Sequence, residues 1–279
     1  MAENPLVHIP RAWPVLNKAN ALRRQLVGQL RSFDVIRWEG TPYGTAPRQT
    51  LQIHELNDLC PRDGWPAVLL VHGGGWQEGS HAHFAHLAPL FAKRGIMAFS
   101  MNYRLAPEHR WPAQLEDIEL ALDFMRSQQI DLQRIAIWGH SAGGQMALML
   151  GLKHPDLIRC MVVSGSPTDL QLCEEQLWLP NFDAAQLKSA SPLHQEASAL
   201  PKTLLLHGRE DRVVSPSHSV TFQQKWSEQS EIWLLKNGDH GLRWPLLQGW
   251  RLKKRALKWL EQQLDMPSRG SKWKRRKKK

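Results

Sequence analysis

Cysteine is scarce in this chain. Cys60, Cys160 and Cys173 are the only three in 279 residues, and their spacing matches no metal-site pattern. So few cysteines exclude a disulfide scaffold. No stretch of 18 or more apolar residues exists, which excludes a hydrophobic membrane-spanning helix. The segment Met1 to Pro10 carries Glu3 and lacks the apolar core of a signal peptide. Together these absences lead to the expectation of a reducing, cytoplasmic setting. No internal repeat is present, so solenoids and propellers are excluded. An apolar content of 42% over this length is enough to bury a sizeable core.

Acidic residues are absent from one region. Residues 269–279 hold Arg269, Lys272, Lys274, Arg275, Arg276, Lys277, Lys278 and Lys279 with no acid among them. Removing those eight charges leaves only +2 of the net +10. The basicity therefore belongs to a tail and not to the fold. Such a block self-repels and is expected to be disordered and solvated. Weak contact with anionic lipid or nucleic acid through released counterions is the alternative, with Trp273 as an interfacial anchor.

The motif that carries most information is Gly139-His140-Ser141-Ala142-Gly143. It has the form G-x-S-x-G, follows the β-branched run Arg134 to Trp138, and precedes a helical pattern from Gln145 to Lys153. That context places a serine on a tight strand-to-helix turn with its hydroxyl presented. A serine hydroxyl is a weak nucleophile and needs a positioned base. Candidates for the base and its acid follow in chain order. The apolar run Thr203 to Leu206 leads into His207-Gly208-Arg209-Glu210-Asp211, and Ile232 to Leu235 leads to Asn237-Gly238-Asp239-His240-Gly241. Ser141, Asp211 and His240 are thus the candidate nucleophile, acid and base; Glu210 and Asp239 are the alternative acids. Upstream, the strand-like Val68 to Val71 runs into His72-Gly73-Gly74-Gly75-Trp76. Backbone N–H groups of Gly73 and Gly74, with that of Ala142, are candidate oxyanion donors. His72 is expected to brace the glycine loop and not to act as a base.

Three blocks, His72-Gly73-Gly74-Gly75-Trp76, Tyr103-Arg104-Leu105-Ala106-Pro107-Glu108 and Gly139-His140-Ser141-Ala142-Gly143-Gly144, resemble the α/β-hydrolase superfamily, in particular hormone-sensitive-lipase-like and BD-FAE-like carboxylesterases. The resemblance covers roughly residues 45 to 265. It implies a serine hydrolase that cleaves small carboxylic esters through an acyl-serine, with no cofactor and no metal. It also implies that the Tyr103 block is scaffold near the site, where Arg104 could pair with Asp117. Two other readings stay open. One is an arylformamidase-like amidase of the N-formylkynurenine type; the other is a binding protein on a hydrolase fold. The histidines at 81, 83 and 86 invite a metal reading, but no matching carboxylate or cysteine set stands beside them in sequence.

Apolar strand-like runs alternate with helical patterns along most of the chain. The expected fold class is α/β, a mostly parallel central sheet flanked by helices with a small cap. Residues 1–45 are expected to form an N-terminal cap segment, with a helix over Ala21 to Leu30. The catalytic domain is expected at 46–265, with a short cap insert at 166–200, and the disordered basic tail at 266–279. Ala82 to Arg94 reads as one helix ending at Gly95. Gln114 to Gln128 reads as another, with the stripe Leu115, Ile118, Leu122, Met125. Trp76 and Trp178 are placed beside the substrate pocket, for small acyl groups.

Overall fold

The computed structural model describes residues 35–58, 60–173, 182–242 and 246–266. Eight strands form one sheet: β1 (Val35–Pro42), β2 (Thr50–Leu56), β3 (Trp65–Val71), β4 (Met97–Met101), β5 (Ile130–His140), β6 (Cys160–Ser164), β7 (Lys202–Gly208) and β8 (Ser230–Leu235). Their spatial order is β1-β2-β4-β3-β5-β6-β7-β8. β1 and β2 pair antiparallel, as do β2 and β4; every later pairing is parallel. This is the α/β-hydrolase fold.

The central strands read as unbroken apolar runs because both faces of the sheet are covered. In β3, Ala67, Leu69 and Val71 enter one core, and the intervening Val68 and Leu70 enter the other. The first core also holds Ile118, Leu122 and Met125 of α2 (Ala113–Arg126) and Met146, Ala147 and Leu150 of α3 (Ala142–Lys153). Phe91 of α1 (Ala88–Ala92) and Leu252, Ala256 and Leu260 of α6 (Leu246–Gln263) fill the second. Each such large side chain contributes roughly 1.5–3 kcal/mol by leaving water. Two further α-helices, α4 (Ala184–Ser189) and α5 (Ser217–Lys225), complete the set among the described residues. Among the described residues, no helix is long and apolar enough to cross a membrane.

Two expectations need correction. Among the described residues the sheet begins at Val35, so the boundary drawn at residue 45 cuts the β1–β2 hairpin. β1 is an edge strand whose residues are half-buried or exposed, with Gly40 in its run, and it carries no alternating apolar signal. The helix expected over Ala82 to Arg94 is broken into a 3-10 turn, His81–Phe84, and α1. Pro89 sits in the first turn of α1, where its missing N–H costs nothing, but it cannot continue a helix already running. The helix expected over Ala21 to Leu30, Trp178, and the tail beyond Met266 all lie outside the described residues.

Sheet order places the site. From β3 the chain moves to β4 on one side and then crosses to β5 on the other. The loops after β3 and β5 therefore diverge and open a crevice at the strands' carboxyl ends. Val71 and Gly139 are register partners, so His72–Gly75 and Ser141 emerge side by side from adjacent strands.

Candidate active site

Ser141 caps α3 with φ 53° and ψ −123°, a backbone shape that side chains rarely adopt. The strain is held by close packing. A Cβ on Gly143 would strike Val71 O, so only glycine lets α3 start against the end of β3. The Ser141 N–H donates to Ser164 O at 2.8 Å, pinning the turn to β6.

Ser141, Asp211 and His240 meet in one hydrogen-bonded line. Ser141 Oγ lies 3.1 Å from His240 Nε2, and Asp211 Oδ2 lies 2.8 Å from His240 Nδ1. A carboxylate only accepts, so Nδ1 carries the proton and Nε2 offers its lone pair to the serine hydroxyl. The His240 side chain is 21% exposed, whereas that of Asp211 is fully buried. Asp211 Oδ1 accepts from the backbone N–H groups of Val213 and Val214, both at 2.9 Å, which leaves Oδ2 for the imidazole. Burial alone would raise the Asp211 carboxyl, but hydrogen bonds from His207, His240 and Val214 outweigh it. The group is held well below the usual carboxylate range and stays charged. Of the alternative acids, Glu210 is exposed at the surface of the same loop, whereas Asp239 adjoins His240 in the chain.

His207 escapes the sequence reading. It is fully buried at the end of β7. Its Nε2 donates to Val214 O at 2.9 Å and stands 3.2 Å from Asp211 Oδ2, while Nδ1 pairs with Ser219 Oγ at 2.7 Å. The one available signal was a histidine four residues before the acid, at a strand's end.

The glycine loop lies against the serine. A Cβ on Gly73 would stand 2.9 Å from Ser141 Cβ. Gly74 has φ 117°, and a Cβ there would strike Glu78 O. Gln77 and Glu78 donate back to Gly74 O at 3.0 Å, curling the loop just after Gly73. Ala142 opens α3, where a first-turn N–H has no partner within its helix. His72 packs beneath, its ring stacked on Tyr103 at 4.1 Å and its Nδ1 donating to Gly73 O at 2.6 Å. Burial pulls this imidazole down to about 3, so it stays neutral. Arg104 pairs with Asp117 through Nε at 2.8 Å, and the Arg104 N–H donates to the other carboxylate oxygen at 2.6 Å.

Trp76 is 1% exposed and leaves almost no surface to a substrate. Its Nε1 donates to Gln145 Oε1 at 3.2 Å, and its ring meets Phe182 edge-on at 4.8 Å. Phe182 in turn packs on Trp111 at 5.4 Å. The described part of the insert is tied to the body where Gln145 Nε2 donates to Ala190 O at 2.6 Å and Gln186 Nε2 donates to Trp111 O at 3.1 Å. His81 and His83 take separate partners: His81 Nδ1 pairs with Asn102 Oδ1 at 3.2 Å, and His83 stacks on His140. Among the described residues, no group of three or more histidine, cysteine or acidic side chains is arranged to hold a metal ion.

Two family models match overlapping stretches of this chain. A BD-FAE family model matches residues 60–161, and a putative esterase family model matches residues 119–241. Esterase LipC of Mycobacterium tuberculosis is 26% identical over 259 residues, covering 80% of this chain and 64% of that protein. Carboxylesterase NlhH of the same species is 35% identical over 126 residues, covering 43% of this chain and 36% of that one. The chain thus spans less than two thirds of the length of these curated relatives. Among solved structures, a thermophilic esterase from Thermogutta terrifontis, Est2, is similar with a TM-score of 0.70 at 23% identity, covering 88% of this chain and 99% of that one.

Proposed function

We propose that this chain, a member of the α/β-hydrolase superfamily, cleaves small carboxylic esters through an acyl-serine intermediate. Ser141 Oγ attacks the ester carbonyl as His240 Nε2 takes its proton. The resulting imidazolium is stabilised by Asp211, which also keeps the ring in the tautomer that can accept. The tetrahedral oxyanion is met by the N–H groups of Gly73, Gly74 and Ala142. Fixed donors of that kind contribute about 100- to 1,000-fold each to rate. Collapse expels the alcohol, which takes the proton from His240. Water then attacks the acyl-serine, with His240 as base, and releases the acid. One observation carries the reading: the unbroken line Ser141 Oγ, His240 Nε2 and Nδ1, Asp211 Oδ2 at 3.1 and 2.8 Å.

The insert at 166–200 is short, and the rings of Trp76, Phe182 and Trp111 fill space beside α3. Both features support a preference for short acyl groups, because each methylene contributes about 0.8 kcal/mol only while pocket wall remains to cover it. The domain reading is a single catalytic unit with this insert as its cap. The low cysteine count, with Cys160 and Cys173 buried, supports a reducing compartment. For the basic stretch at 269–279 the reading is a tail with no dedicated partner, and weak contact with anionic lipid or nucleic acid at low salt is the alternative.

A p-nitrophenyl ester series of rising acyl length, run beside N-formylkynurenine, tests this. Hydrolysis fastest at about two to six acyl carbons supports it. Rates that climb steadily to long chains would show a lipase, and faster turnover of the formamide would show an amidase.

A further inference from the structure

The assigned line fixes His240 at two points along one edge of its ring, Nδ1 and Nε2. Two contacts on one axis do not stop a ring from rocking about that axis. Support from the ring face is needed, and it comes from residues outside that line.

His140 ends β5, and the parallel register sets Ser164 of β6 beside it on the same face. Ser164 Oγ donates to Gly139 O at 3.4 Å and accepts from His140 Nδ1 at 3.0 Å. The same residue's carbonyl accepts the Ser141 N–H. Ser164 therefore fixes the serine turn with its backbone and the His140 ring with its side chain. The His140 ring centroid lies 5.0 Å from that of His240, tilted by 48°. On another side His83, exposed to solvent, stacks on His140 at 4.9 Å and 21°. The next residue, Gly165, abuts the assembly: a Cβ there would come 3.3 Å from His240 Nδ1 and 3.4 Å from Asp211 Oδ2. His140 is thus the buried member of a histidine column that runs from the surface to His240.

We propose that His140, oriented by Ser164, is a positioning residue that supports the His240 ring during the reaction. This inference rests on the assignment of Ser141, Asp211 and His240 above. The titratable groups around His140 are His83 from the turn after β3, His240 and Asp211 from the loops after β8 and β7, and Lys253 of α6. A second cation beside His240 would repel the imidazolium that forms as Ser141 attacks. Burial, first, and then the neighbouring positive groups hold the His140 imidazole well below its ordinary range, so no such cation forms. A phenylalanine would fill the space but would lack the bond to Ser164. An alanine would leave a gap open to water, which solvates imidazolium better than the packed ring does.

The test compares His140→Ala, His140→Phe and Ser164→Ala with wild type on a short neutral ester, across pH. In His140→Ala, kcat falls by about 10- to 100-fold with KM nearly unchanged, the loss typical of a misplaced reacting group. The rising limb of kcat/KM departs from its wild-type position, because the gap admits water beside His240. His140→Phe restores most of kcat and returns the limb toward its wild-type position. Ser164→Ala shows a smaller loss in the same direction, and it decides the matter if His140→Ala does not fold. Wild-type kcat and pH profile in a folded His140→Ala, or in Ser164→Ala if the former fails, overturn the proposal. So does a His140→Phe variant as impaired as His140→Ala. Ser141→Ala is assayed in parallel. If it keeps turnover, the underlying assignment has failed; if it is inactive, the His140 results bear on this inference alone.

Discussion

Asp211 Oδ2 is shared by two imidazoles, standing 2.8 Å from His240 Nδ1 and 3.2 Å from His207 Nε2. The first is partly open to solvent, and the second is sealed in the core. One carboxylate oxygen thus links the candidate base to the end of β7. His207 fixes where that oxygen points, and the Val213 and Val214 N–H groups fix the other.

Asp211→Asn is expected to lower kcat by about 10,000-fold, the loss seen when the acid of a serine triad becomes an amide and the imidazole takes the wrong tautomer. Asp239→Asn and Glu210→Gln should retain most activity. Steady-state kinetics on one ester decides it: a worse loss in Asp239→Asn would reassign the acid.

Ser141→Ala is expected to abolish turnover with the fold intact, and a fluorophosphonate probe should label Ser141 in the native protein. Ser141→Gly should be equally inactive yet more stable than Ser141→Ala by about 1 kcal/mol. Glycine accepts φ 53° freely, and that gain exceeds its extra entropy in the unfolded chain. Denaturant midpoints of the two variants measure the difference. An alanine variant as stable as the glycine one would show that the turn is unstrained.

Gly143→Ala is expected to destabilise the protein by about 1–3 kcal/mol or more, because the added methyl meets backbone and not a yielding side chain. Thermal unfolding measures it. A near-neutral change would mean that β3 and α3 can separate at little cost.

Stability should fall as pH drops from neutrality. Burial depresses His54 from its ordinary 6.5 to about 4 and His72 to about 3. Above 6.5 both states are neutral and these groups contribute nothing. Below it the unfolded chain binds protons that the fold refuses, so stability is lost progressively down to about pH 3–4. His72→Gln should flatten that loss by up to one proton's worth of slope in urea midpoints measured against pH. An unchanged slope would mean that His72 is protonated within the fold.

Much of the candidate site is legible residue by residue. A nucleophile turn needs small residues at fixed offsets, and a glycine loop announces itself, so Ser141, Gly73 and Gly74 are visible in short segments. Asp211 and His240 followed from chain order and from their places after apolar runs. Those runs were legible because a strand buried on both faces must be apolar throughout. β1 was not legible, since an edge strand half open to water carries no such pattern. The break at Pro89 is hidden in the sequence because the apolar spacing of Leu87, Leu90 and Phe91 continues across it.

The sequence by itself determined which chemical groups are available and which local backbone shapes are permitted. Only the tertiary structure decided which groups meet. The distances of 2.8 and 3.1 Å join residues 29 and 99 positions apart, and no local pattern encodes them. The same holds for His207 under Asp211, for His140 beside His240, and for a Trp76 ring spent on Gln145 and Phe182. Those contacts arise from the order of strands and the packing of helices on both faces. They depend on many weak, non-local burials acting together, which leave no signature in any one stretch of chain.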